Sequence, residues 1–241
     1  HFFYRLGYEK IHFQYLDPPP EPITESTLFG ILLHGILDRL IKGDSPESIT
    51  IHRIFFSYSA QQALKDVHQI EGFTPDQKLL FEETKQIAIS TLASLRTRYD
   101  FTHSDYSLFS FGVMGVIDAI AYDRINQESV VIEFKSSLSD THRIFKRSYY
   151  QGIFYCLLTP YNKARYTQNF PTPTAAHIIK ITFNRNPELP TTDICNATTM
   201  TINRIGLSGR RGTYIKSEIN KVLHSLHRHG FINHPSEACR P

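Results

Sequence analysis

The chain has 241 residues, 41% of them hydrophobic and 20% charged, with a formal net charge of +3. That balance suits one sizeable core and excludes wholesale disorder, and a mild positive charge permits a polyanionic partner. No apolar run nears the ~18 residues that cross a bilayer, so no membrane partner is expected.

A Pro-rich connector, residues 17–22, comes first. Residues 26–43 read as a largely buried helix, with Ser26 as N-cap, Lys42 in the last turn, Gly43 beyond it and His34 at its middle. Helices are expected over 59–70 and 75–97, the second opened by Thr74-Pro75. The pattern then turns to strands at 106–114, 115–122 and 129–135, with a polar turn at 123–128 between the last two. Such short connections favour antiparallel pairing. A helix should follow residues 139–141 and run to Leu158, stopped by Pro160. Strands at 176–183 and 198–205 and a helix at 213–229 complete the pattern. The expectation is α/β: one central mixed sheet flanked by helices, with an N-terminal helical segment.

Strand parity points to the candidate site. Glu133 and Lys135 share one face of their strand, while Ile132 and Phe134 can enter the core from the other. Asp118 interrupts the apolar run 116–120 on the preceding strand. A carboxylate there is costly to bury without a positive partner, and two converging carboxylates repel unless a cation lies between them. Hard oxygen ligands of this kind suit Mg²⁺ or Mn²⁺. Gly115 marks close backbone approach, and Gln151 and Tyr155 lie one turn apart on the next helix. Arg143, Lys146 and Arg147 form a basic stripe on that helix, and Arg210 and Arg211 sit between Gly209 and Gly212. Both are candidate phosphate contacts. Each feature has a plainer alternative: a Lys–Glu surface pair, a core histidine, ordinary helix packing, a solvated basic face.

In order, a helix-borne His34, Gly115-x-x-Asp118, Glu133-x-Lys135 and Gln151-x-x-x-Tyr155 resemble the PD-(D/E)XK nuclease superfamily. They are most similar to its RecB-type branch, which includes nuclease domains of helicase–nuclease complexes and CRISPR-adaptation nucleases. The resemblance covers about residues 1–160. It implies a restriction-endonuclease-like core and a metal-dependent DNA nuclease, an exonuclease in repair, recombination or DNA processing. Asp118, Glu133 and Lys135 would be catalytic. His34, Asp118, Glu133 and the Phe134 carbonyl would hold Mg²⁺ or Mn²⁺. Gln151, Tyr155, Arg143 and Arg147 would bind substrate. DNA, single-stranded or with free ends, is the implied partner, along with a helicase or recombination protein. A catalytically inactive DNA-binding scaffold is the alternative. Residues 1–241 would form one nuclease domain: a mainly helical part (1–105), a catalytic core (106–185) and a C-terminal strand and helix (186–241). Lys135, flanked by carboxylates, is expected to stay charged and orient water rather than act as the base.

The cysteines depart from the family. Many RecB-type relatives hold an iron–sulfur cluster on four thiolates, one near the N-terminus and three near the C-terminus. Here there are only Cys156, Cys195 and Cys239. A cluster would require further cysteines from a longer chain. The aromatic-basic opening, residues 1–6, and the ending, 234–239, resemble the borders of such cysteine segments. Since the first residue is His1 rather than Met, a processed form or a piece of a longer protein is expected. Three scattered thiols give no disulfide framework and suggest an intracellular compartment, cytoplasm, nucleoid or nucleus.

Overall fold

Threonines cap two of the described helices. Thr24, in extended conformation, accepts a hydrogen bond from the Thr27 N–H, and helix α1 runs Glu25–Ile41. The cap stands two residues before the expected Ser26. Thr24 offers the same hydroxyl earlier and leaves Glu25 in the first turn, where the helix dipole favours an acid. Gly43, just past the C-cap Lys42, has φ +96°, a left-handed conformation that suits glycine. Helix α2 runs Pro75–Arg96, and Thr74 and Gln77 cap it reciprocally. This computed structural model describes residues 24–54, 73–110, 113–138, 146–162, 172–185 and 197–228. The expected connector at 17–22 and helix at 59–70 lie outside them.

Among the described residues five strands form one mixed sheet: β1 (Tyr99–Ser110), β2 (Val113–Asp123), β3 (Glu128–Ser137), β4 (Ala175–Phe183) and β5 (Thr198–Gly206). Their spatial order follows the chain, β1-β2-β3-β4-β5. β3 and β4 pair parallel, and the other three pairings are antiparallel. Helix α3 (Lys146–Asn162) lies between β3 and β4 in sequence, and α4 (Arg210–Arg228) follows β5. β1 begins seven residues before the expected start at 106. It is an edge strand, so its polar residues Asp100, Thr102 and Ser104 fit without an apolar face to mark them.

Helix α3 also overruns its expected end, for Pro160 lies inside it. Proline removes one backbone donor, here close to the helix terminus. Burial of Ile153, Phe154, Cys156 and Leu158 holds the preceding turns against the sheet.

Each face of the sheet carries a core. On one face α1 and α2 pack on Ala119, Ala121, Ile132, Phe134 and Ile179. On the other, α3 and α4 pack on Ile117, Ile120, Val131 and Ile178. Leu32, Leu33, Ile36 and Leu37 of α1 are completely buried. Each such side chain contributes roughly 1.5–3 kcal/mol by leaving water, which fixes α1, and with it His34, against the sheet. Among the described residues no helix is long and apolar enough to cross a membrane.

Candidate metal centre

Asp118 stands one residue beyond the last rung of the β2–β3 ladder, Ala119 opposite Ile132. Its carboxylate takes over where the ladder stops. Oδ2 accepts the Phe134 backbone N–H at 2.7 Å. Oδ1 lies 3.2 Å from His34 Nδ1, so the carboxylate links β2 to α1. The Phe134 ring is buried edge-on to the His34 imidazole, at 6.3 Å between centroids.

Glu133 and Lys135 share a face, as strand parity requires. Helix α3 covers that face, and Glu133 is only 1% exposed. The plain alternative of a surface Lys–Glu pair is thereby removed. Lys135 Nζ donates to Glu133 Oε2 at 3.2 Å and to Gln151 Oε1 at 3.3 Å. Gln151 Nε2 in turn donates to the Tyr155 hydroxyl at 3.2 Å. Gly115 makes room for this arm: a Cβ there would lie 2.7 Å from the Tyr155 ring. The two motifs built on Gly115 and Tyr155 therefore depend on each other sterically. The structure brings together His34, Asp118, Glu133, Phe134, Lys135, Gln151 and Tyr155.

The two carboxyls titrate in opposite directions. Withdrawal from water would raise Asp118, but the His34 ring, Lys135 and the Phe134 N–H outweigh it and hold the group below the usual aspartate range. Glu133 is pushed well above the usual glutamate range, first by burial and then by the neighbouring Asp118 charge, against the pull of Lys135. Burial, helped by Glu133, also raises the Tyr155 phenol to about 12. Glu133 Oε1 is buried and has no hydrogen-bond partner. An acceptor in that position lacks a donor or a cation.

The remaining sequence candidates are less central. Arg143, Cys195 and Cys239 lie outside the described residues. Arg147 is exposed near the start of α3. Cys156 is buried, and burial raises its thiol, so it reads as a core residue. Arg210 and Arg211 open helix α4 and line a cavity of about 300 Å³ with Arg204, Tyr149 and Gly206. The Arg211 guanidinium stacks 4.1 Å from the centre of the Tyr149 ring.

Sequence reasoning missed a second titratable group, at the hairpin end of the sheet. Asp123, Glu128 and His177 offer ligand atoms within 4.8 Å of one another, a set that could hold a metal ion. Its carboxylates are already engaged, however. Arg98 grips Asp123 through two donors, and Arg204 grips Glu128 through two more. The two guanidiniums cancel the charge that would attract a cation. Asp123 is held at about 2; burial opposes this, and Arg98, Asn126 and the Ile125 N–H prevail. His177 shares a 2.6 Å hydrogen bond with the Tyr99 hydroxyl, and burial lowers it to about 4. The only signal in the sequence was a histidine inside the apolar run 175–183.

No protein-family model and no curated protein matches the chain. Among solved structures, one described as "Crystal structure of SSO0001" aligns over 86% of this chain and 87% of its own, at 16% identity and a TM-score of 0.35. A likeness that weak carries no argument about function.

Proposed function

We propose that this chain is a divalent-metal-dependent deoxyribonuclease of the RecB-type PD-(D/E)XK branch. It would hydrolyse phosphodiester bonds from DNA ends in repair, recombination or processing, alone or beside a helicase or recombination partner. The observation that carries this reading is Glu133 Oε1, a buried acceptor without a partner, next to the Asp118 carboxylate. Lys135 already occupies the other Glu133 oxygen. A cation is the simplest group that satisfies the free oxygen and relieves the repulsion between the two acids.

His34, Asp118, Glu133 and the Phe134 carbonyl would hold Mg²⁺ or Mn²⁺, an oxygen-rich set suited to hard cations. When bound, the ion supplies Lewis-acid stabilisation of charge on the phosphoryl oxygens and a more acidic water. The residues of the chain do the rest. Lys135, steered by Glu133 and Gln151, presents one positive charge to the attacking water and to the phosphate. Tyr155, raised far above neutral pH, stays protonated and braces Gln151. Arg147, Arg210 and Arg211 supply phosphate contacts that carry no base preference.

The test is purified protein with end-labelled single- and double-stranded DNA in Mg²⁺, Mn²⁺ or EDTA. Cleavage that EDTA abolishes and either ion restores supports the reading. Full activity in metal-free buffer, or binding without cleavage under every condition, defeats it.

A further inference from the structure

Asp105 has φ +49° in the middle of β1. Among the described residues the other non-glycine residue with positive φ, Gln127, lies in the turn before β3, where such a value is ordinary. Within a strand it is a strained conformation that Asp, Asn and Gly tolerate and β-branched residues do not. Strain of this kind persists only where the surroundings impose it.

The neighbouring side chains show what it does. Strand residues two apart should share a face. Ser104 points to α1, where its hydroxyl donates to Asp38 Oδ1 at 2.6 Å, yet Tyr106 belongs to the core on the α3 side. The partner strand behaves alike: Ile117 lies in the α3-side core and Ala119 in the α1-side core. Ser104 pairs with Ala119 and Tyr106 with Ile117, so the register is the same above and below. Each strand therefore loses one step of alternation at the same rung, the rung of Asp105 and Asp118.

Helix α1 clasps this dislocation. His34, Asp38 and Lys42 are spaced four apart and share one helical face. His34 meets Asp118, Asp38 meets Ser104, and Lys42 bonds Asp38 at 2.8 Å and lies 3.9 Å from the Asp105 carboxylate.

We infer that Asp105 is a positioning residue for the proposed metal centre: its left-handed backbone, opposite Asp118, turns the Asp118 carboxylate out of strand alternation toward His34 and the Phe134 N–H. Carried on from Ala121 and Ala119, regular alternation would put Asp118 on the α3 side of the sheet; the slip at this rung leaves it within reach of α1 instead. The inference rests on the metal-nuclease reading for its functional meaning, but the placement of Asp118 can be measured without metal.

Four proteins decide it: wild type, Asp105→Gly, Asp105→Asn and Asp105→Val. The first readout is the His34–Asp118 hydrogen bond in metal-free protein, followed by ¹⁵N NMR of the His34 ring nitrogens. The second is Mn²⁺ affinity by calorimetry. Asp105→Gly and Asp105→Asn should keep the hydrogen bond and bind Mn²⁺ like wild type. Asp105→Val should lose the hydrogen bond and bind Mn²⁺ roughly tenfold to a hundredfold more weakly, the scale of losing support for a ligand. If the valine variant does not fold, Asp105→Ala, which is less costly at positive φ, replaces it with the same expected direction. A His34 signal identical to wild type in the valine or alanine variant overturns the inference. So does its loss in the glycine variant, which would assign the effect to the carboxylate. Wild-type protein that binds no Mn²⁺ defeats the metal reading instead, and the NMR result still decides the placement of Asp118.

Discussion

His34 Nδ1 lies 3.2 Å from Asp118 Oδ1, a contact between residues 84 positions apart that ties α1 to the sheet. His34 is about one-third exposed, whereas the α1 leucines around it are buried. His34→Ala should therefore leave the fold intact and raise the Asp118 pKa, since the ring is the strongest influence holding it down. Mn²⁺ affinity should fall or metal preference should shift. Calorimetric titration with thermal unfolding as a control checks this; wild-type affinity in a folded mutant would make His34 a packing residue.

Glu133 gives a pH signature. Its carboxyl is raised when folded, so between the ordinary glutamate value and the raised one the folded chain holds a proton that the unfolded chain has released. Stability of metal-free protein should fall as pH rises through that window. Glu133→Gln should flatten the fall and raise the neutral-pH melting temperature of the metal-free protein while removing metal binding. Mg²⁺ should restore wild-type stability most at the higher pH. Melting curves from pH 5 to 8 decide it, and parallel wild-type and mutant profiles would count against a buried, cation-starved Glu133.

The hairpin-end cluster has the opposite slope. His177 titrates near 4 when folded rather than its ordinary 6.5, so the unfolded chain binds the extra proton between those values. Stability should be lost as pH falls through this range, at up to about 1.4 kcal/mol per pH unit. His177→Gln should remove most of that slope. Acid-unfolding curves that keep it would move the effect to another group.

The basic residues are tested by salt. Charge reversal at Arg147 or Arg210 should weaken DNA binding to all sequences alike and reduce the slope of log affinity against log salt by about one for each phosphate no longer neutralised. Unchanged slopes would leave these arginines as solvated surface.

Much of the candidate site can be read in the sequence because it follows short-range geometry. Glu133 and Lys135 share a face by strand parity, and Gln151 and Tyr155 by helical spacing. Parity does not say what covers a face, so the burial of Glu133 beneath α3 was invisible. The Tyr99–His177 pair spans 78 positions, beyond any local pattern. Nor could the dislocation at Asp105 be read, since β1 is an edge strand whose polar residues blur the alternation that would have exposed it. Helix ends moved for similar reasons: Thr24 and Ser26 offer the same capping chemistry, and tertiary burial carried α3 past Pro160.

If these residues cleave DNA, Lys135 and Asp118 are where cleavage should fail. Single-turnover cleavage of end-labelled DNA should be measured for wild type, Lys135→Ala and Asp118→Asn across a Mg²⁺ series, with thermal unfolding as the control for folding. Lys135→Ala removes one preorganised charge, commonly worth roughly 3–4 kcal/mol, so its rate should fall by about two to three decades at saturating Mg²⁺ with little change in DNA affinity. Asp118→Asn should lose rate and also shift its Mg²⁺ dependence to higher concentration. Folded mutants that cleave at the wild-type rate would show that the active site lies elsewhere.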